Sequence, residues 1–380
     1  MTAAASSLDT PMRAAAVTID LTRLAANLAR LRVSTGEGRR IYAVIKGDSY
    51  GAGIVQSAQA LQAAGVDALA VGNADDVVML RAAGITCDIL AYGSTPPVMA
   101  AHLIELDAIL TIHDLASLHA ILAAAKAAKA AKPPRVFVKV DCGLARLGIA
   151  LSDAEEVFST LAATDSVTVE GIYTHLAGQH DPVRVRVQAD RLAQAVAVAK
   201  THGIAPQIIM LASSWLILKH PDLNLTAVDP GRIVFGLARD EWGVGGEYEA
   251  VIARFSGRLI QVSTLPAGTI PYGSNEPIAS ELRVGVIAAG TTDGLVFTRP
   301  GQPVLVRGKR AAQLGASGIE HSLVDLSAVP DANVGDEVVW FGRDGDEEIT
   351  PLEFSRYCDR PIDQCIPLVG RLARRNYVSS

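Results

Sequence analysis

The chain has 380 residues, 49% of them hydrophobic, and a formal net charge of −6 spread over mixed signs. That length supports a large core and two domains. The charge leaves no electrostatic footprint for nucleic acid or an anionic membrane, and no apolar stretch is long enough to cross a bilayer. Residues 1–15, MTAAASSLDTPMRAA, carry an acid and lack an apolar h-region, so they read as a flexible terminus, not a signal peptide. Short β-like runs then alternate with Ala-rich helical windows: Tyr42–Lys46, Ala68–Gly72, Asp88–Ala91, Ala108–Ile112, Val136–Asp141, Val169–His175, Gln207–Leu211 and Thr226–Asp229. Eight strand–helix alternations predict parallel strands closing into a (β/α)8 TIM-type barrel over residues 16–246. Within it, Ala120–Pro134 (AILAAAKAAKAAKPP) reads as a solvent-facing helix stopped by its two prolines. Residues 247–380 change texture. Residues 247–350 are rich in Val, Gly, Thr and Pro, with turn signals such as LPAGT, TRPGQP and VGDEVVWFG, which predicts an antiparallel β region in a β-rich C-terminal domain over 247–380.

Cys87, Cys142, Cys358 and Cys365 are scattered without a CxxC pair, and the histidines show no metal spacing. Zinc and disulfide frameworks are therefore not expected, no metal site is expected, and a cytoplasmic location fits.

In a parallel barrel the chemistry sits at the carboxyl ends of the strands. Lys46 falls there in IYAVIKGDSYGAG, Asp141 and Arg146 in VFVKVDCGLARLG, and His175 in EGIYTHLAG. Ser213 and Ser214 follow the seventh run, and Asp229 lies in AVDPGRIVFG. An amine, an imidazole, a carboxylate and serine or backbone phosphate donors at one mouth suit a phosphate-bearing cofactor that forms a Schiff base with a lysine. Each position also has a plainer reading. Lys46 could snorkel, His175 could be a satisfied core histidine, Arg146 a surface ion pair, and Asp229 a cap on the turn before Pro230.

From about Ala16 to Tyr377 these stretches, in this order, resemble the alanine racemase family of fold-type III pyridoxal-phosphate enzymes. The resemblance implies pyridoxal 5'-phosphate on Lys46. It implies Tyr50, Ser214, Gly231, the backbone of Arg232, and Tyr377 (in ARRNYV) at the phosphate, with Arg146 and His175 beside the ring. Lys139 matches a position carbamylated in some members. Tyr272, in IPYGS, matches a second catalytic base that enters the other subunit's site, so a homodimer is implied; a β-domain tyrosine packed at an interface is the plainer reading. Substrate contacts would come from Arg146, Thr291 and Ile319. Two bases on opposite faces suit removal of an α-proton from one side and its return on the other, with Lys46 and Tyr272 in those roles. Tyrosine's ordinary pKa, near 10, would then have to be lowered by a neighbour such as Arg146 or His175.

The pattern departs from the family chiefly at Asp229, where an arginine is usual. A carboxylate beside the pyridine nitrogen would keep that nitrogen protonated and strengthen the electron sink. Thr291 replaces a tyrosine that lines the substrate channel, Ile319 a methionine, Glu320 an aspartate, Ser213 an asparagine and Met210 a histidine. The expectation is an amino-acid racemase, with a widened channel that leaves room for a substrate other than alanine. The alternative is a fold-type III lyase, that is, a D-amino-acid aldolase, dehydratase or decarboxylase. A barrel-only cofactor carrier is disfavoured by the C-terminal β domain.

Overall fold

The structure, a computed structural model, describes residues 15–128, 132–244 and 246–379. The chain divides into two units. One comprises Leu24–Ser49 and Ile54–Val234; the other comprises the described residues of Met1–Arg23, Tyr50–Gly53 and Phe235–Ser380.

In chain order the strands are β1 (Ala16–Asp20), β2 (Arg40–Val44), β3 (Ala68–Val71), β4 (Asp88–Ala91), β5 (Leu110–Ile112), β6 (Arg135–Lys139), β7 (Thr168–Tyr173), β8 (Ile208–Ala212) and β9 (Ala227–Val228). They continue with β10 (Ile252–Leu265), β11 (Leu282–Ile287), β12 (Pro303–Val306), β13 (Lys309–Gln313), β14 (Ser322–Asp325), β15 (Glu337–Asp344), β16 (Glu347–Ile349) and β17 (Arg374–Val378).

Strands β2 to β9 form the expected eight-stranded parallel sheet, in the order β4-β3-β2-β9-β8-β7-β6-β5. Its edges meet through a parallel bridge between Leu90 and Ile109, where the Ala91 amide donates to the Ile109 carbonyl at 2.9 Å. Alternate residues point inward, as strand pleating requires. Tyr42, Val44, Ala68, Ala70, Leu90, Ile109, Phe137, Tyr173, Ile208, Met210 and Ala227 fill the interior. The Phe137 ring fits because residue 171 is glycine; a Cβ there would lie 2.6 Å from the ring.

Below this core, at the amino ends of the strands, two cations and two acids close the barrel floor. Arg135 meets Asp88 at 2.7 Å and Glu170 at 3.7 Å; Arg40 meets Asp88 at 3.0 Å and Glu170 at 3.5 Å. The Arg40 guanidinium also lies over the Tyr42 ring. These charges are half-buried, so their pairing replaces lost hydration.

The helix Leu115–Ala128 covers the first part of the predicted Ala-rich helix and buries Ser117, Leu118, Ile121 and Ala125. The rest of that prediction includes residues 129–131, outside the described residues. The predicted flexible terminus also lies outside them, except Ala15, which is buried. Among the described residues no helix is long and apolar enough to cross a membrane.

In the other unit, β10, β11, β14, β13, β12 and β15 pair in turn, all antiparallel, and β15 returns to β10 to close the ring. Phe255, Trp340, Phe341 and Phe354 stack in its core, and the Trp340 indole donates to Gln313 at 3.2 Å. Helices Pro351–Tyr357 and Ile362–Leu372 belong to this unit as well. So does β1, which the sequence reading assigned with the barrel. It runs antiparallel to β10 and parallel to β17. Its alternating buried residues match a sheet face, whereas the barrel already closes with eight strands.

The floor network gives the first prediction. Asp88 answers both arginines, which hold its carboxyl below the usual range against the opposing effect of burial. Asp88→Ala removes the acid closest to both arginines and leaves them with the longer contacts to Glu170. It should cost roughly 1–3 kcal/mol in urea unfolding at neutral pH, between the limits for exposed and buried pairs. Because the folded pKa is depressed, the contribution of wild-type Asp88 is present above its unfolded pKa and is lost as pH falls through the folded value. An unchanged unfolding midpoint would show that the pairing contributes nothing.

Candidate active site

Strand β2 ends at Val44, so Lys46 stands two residues past the strand, not at its end as read from sequence. The chain then makes one left-handed turn. Gly47, Asp48 and Ser49 have φ/ψ of 64/41, 58/48 and 55/47°, and Tyr50 continues with φ 52°. This conformation costs roughly 1–2 kcal/mol for each non-glycine residue. Local bonds offset part of it: the Ser49 amide donates to the Ile45 carbonyl at 2.9 Å, and Asp48 Oδ1 accepts from the Ile54 amide at 2.8 Å. The small-residue sequence KGDSYGAG is what admits the turn.

The Lys46 side chain keeps solvent-exposed surface. Its pKa is nevertheless lowered, first by loss of hydration among the surrounding protein atoms, with Arg146 and Arg232 acting in the same direction and Asp229 opposing. Lys139, at the end of β6, is buried with its Nζ 4.5 Å from the centre of the Tyr173 ring. Burial lowers its pKa to about 8, partly countered by Asp229. His175 lies two residues past β7. Burial first, then Lys139, Arg146, Lys46 and Arg232, lower its pKa to about 3. Its imidazole is therefore neutral.

Asp229, directly after β9, is buried, and burial raises its pKa to about 6 although Tyr92, Lys139 and Lys46 favour the anion. Its Oδ2 accepts a 2.9 Å hydrogen bond from the Tyr92 hydroxyl. Its Oδ1 is buried and accepts none from the described residues. Tyr92 escaped the sequence reading because a tyrosine after an apolar run looks like core. The available signal was its position, first after β4, where strand ends carry chemistry.

Asp141 is a loop organiser. Its Oδ1 accepts from the amides of Gly143, Leu144 and Ala145 at 2.9, 2.9 and 3.1 Å. The loop closes through the Val140–Ile149 bridge, and exposed Arg146 rides on it. Ser214 Oγ is buried and accepts from the amides of Gly231 at 3.1 Å and Ile233 at 3.4 Å. Ser213 Oγ accepts instead from Gln179. Met210 is an interior barrel residue.

The remaining predicted residues belong to the C-terminal unit. Tyr50 packs its ring on Phe235 at 5.3 Å, and Tyr377 on β17 lies in register with Ile19 of β1. Tyr272, Thr291 and Ile319 gather around one glycine turn. A Cβ on Gly318 would collide with the Tyr272 ring, the Thr291 amide donates to the Gly318 carbonyl at 2.8 Å, and Thr292 donates to the Ile319 carbonyl. Tyr272 is 57% exposed and Ile319 69% exposed.

The neutrality of His175 is directly measurable. In protein with 15N-labelled histidine, the ring resonances missing from His175→Gln should stay constant from pH ~8 to ~5. A midpoint near the ordinary 6.5 would contradict the surroundings described here.

Comparison with known proteins matches the two units. A family model described as alanine racemase, N-terminal domain, matches residues 19–239, and one described as alanine racemase, C-terminal domain, matches residues 252–377. The alanine racemase of Desulfovibrio desulfuricans is 33% identical over 366 residues, covering 95% of this chain and 97% of that protein. That of Methanococcus maripaludis is 30% identical over 342 residues, covering 88% and 91%. Among solved structures, alanine racemase from D-cycloserine producing Streptomyces lavendulae superposes with a TM-score of 0.90 at 28% identity, over 98% of each chain. That from Streptomyces coelicolor A3(2) gives 0.86 at 25% identity, over 96% of this chain and 98% of that one.

Proposed function

The chain belongs to the alanine racemase family, and we propose that it is a pyridoxal 5'-phosphate-dependent amino-acid racemase that works as a homodimer. The observation that carries this reading is the barrel mouth, where a lysine amine of lowered pKa stands among Asp229, Arg146, Arg232 and a neutral histidine. Two features fit the cofactor. The buried Oδ1 of Asp229 lacks a donor, and a protonated ring nitrogen is one. Ser214 Oγ accepts from the Gly231 amide and keeps its own hydroxyl hydrogen to donate, which suits a phosphate, with Gly231, Tyr50, Arg232 and Tyr377 proposed for the same group.

When bound, pyridoxal phosphate supplies the electron-withdrawing ring that makes a substrate's α-hydrogen acidic. The chain's residues do the rest. Lys46 anchors the cofactor; its amine, shifted toward the neutral form, then takes or returns the α-proton on one face. Tyr272 of a second copy serves the opposite face through its hydroxyl. The exposure of Tyr272 and Ile319 supports that role, because an exposed apolar patch fits an interface. Arg146 would hold the cofactor's ring oxygen, and Thr291 and Ile319 would line the substrate's path. A threonine at 291 leaves room for a side chain larger than that of alanine.

Asp229 also favours a second reading, a fold-type III lyase, since a stronger electron sink serves the breaking of other bonds at Cα. The two separate in heavy water. A racemase exchanges the α-hydrogen and loses optical rotation with no new product; a lyase forms one. A panel of L- and D-amino acids should show racemisation of substrates bulkier than alanine, and a wide preference for alanine would contradict the substrate reading. Tyr272→Phe should slow exchange from one enantiomer by about 10²–10⁴ while sparing release of the proton from the other, the scale of one acid–base group. Equal loss from both enantiomers, with binding of the cofactor intact, would remove Tyr272 from that role.

A further inference from the structure

We propose that Tyr92 is a positioning residue for the reaction: it holds one oxygen of Asp229 so that the other is presented to the ring nitrogen of the cofactor. This rests on the assignment of Asp229 to that nitrogen. The two residues stand on different strand ends, Tyr92 after β4 and Asp229 after β9, with β3 and β2 between them in the sheet. Their 2.9 Å hydrogen bond spans 137 residues of sequence, so local chain geometry does not explain it.

Tyr92 is itself held. Its amide donates to the Val71 carbonyl at 3.1 Å, and its ring lies 5.7 Å from that of Tyr173. The Tyr173 hydroxyl meets Thr111 Oγ1 at 3.2 Å, and Thr111 Oγ1 donates to the Ala91 carbonyl at 2.8 Å. The phenol is thus braced from β3, β5 and β7 and has little freedom to swing off the carboxylate.

A buried carboxylate has two ways to lower its free energy here: to accept donors on both oxygens or to take up a proton. Tyr92 supplies one donor and leaves Oδ1 as the unmet acceptor. The amines of Lys46 and Lys139 and the backbone amide of Asp229 itself also favour the anion, and the anion in turn acts on buried Tyr173. Both lysines favour the anion without hydrogen-bonding it, so they supply charge but not direction. Direction comes from the phenol. An arginine in place of Asp229, as in the family pattern, would have no use for a phenol donor, so Tyr92 and Asp229 form one matched pair.

The test uses cofactor-free protein and holoenzyme side by side. Cofactor-free protein labelled with 13C at the aspartate carboxyls is titrated by NMR, with Asp229 identified by its absence in Asp229→Asn. Tyr92→Phe should raise the Asp229 midpoint by about one pH unit, the scale of one hydrogen bond to a charged group. Incorporating 3,5-difluorotyrosine at position 92, nearly isosteric and a stronger donor, should lower it. In the holoenzyme Tyr92→Phe should weaken pyridoxal phosphate binding by about tenfold, and should add nothing in an Asp229→Asn background. A midpoint unmoved by both replacements overturns the role of Tyr92, as does an equal loss of affinity with and without Asp229. If Asp229→Asn binds pyridoxal phosphate with wild-type affinity and absorbance, the assignment of Asp229 to the ring nitrogen fails instead, whatever the titration shows of Tyr92.

Discussion

The barrel mouth is organised by one buried carboxylate set among cations. Asp229 opposes the loss of charge on Lys46 and Lys139, while Arg146 presses both amines and His175 toward their neutral forms, and Arg232 acts likewise on Lys46 and His175. Neither tendency wins outright. Burial lowers the Lys139 amine to about 8 and raises the Asp229 carboxyl to about 6, and the opposite charges around each partly counter it.

The scaffold makes that arrangement durable. Eight strands deliver their ends to one mouth, and the interior below it is close-packed around Tyr42, Phe137 and Tyr173. The charges at the opposite end, Arg40, Arg135, Asp88 and Glu170, are paired with one another. Beside the reactive amine, the left-handed turn after Lys46 holds Asp48 and Ser49 in a conformation side chains rarely adopt. Strain held next to such a group and supported by local hydrogen bonds is a recurring mark of functional sites.

Much of this was legible in the chain. Each barrel strand is a short apolar run bounded by a helical window, so type and order could be read from periodicity, and Lys46, His175 and Asp229 fell within a residue or two of strand ends. What could not be read depended on distant partners. β1 resembles any buried strand until Ala16 is seen opposite Ser256. Tyr92 resembles core until its hydroxyl is seen on Asp229. Asp141 looked like chemistry because it is an acid at a strand end, yet its carboxylate is occupied by three backbone amides. The left-handed turn was visible only as a run of small residues, because handedness depends on how the chain leaves β2.

In the proposed reading Asp229 is the main departure from the arginine pattern of the family, and the chemistry proposed for the barrel mouth is built around it. All of that chemistry presumes that the amine of Lys46 forms a covalent bond with the cofactor. The direct measurement is borohydride reduction of the protein loaded with pyridoxal phosphate, then peptide mass spectrometry. The account predicts a single reduced adduct on the peptide containing Lys46, absent from Lys46→Ala. An adduct on Lys139 or another lysine, or none at all, would contradict it.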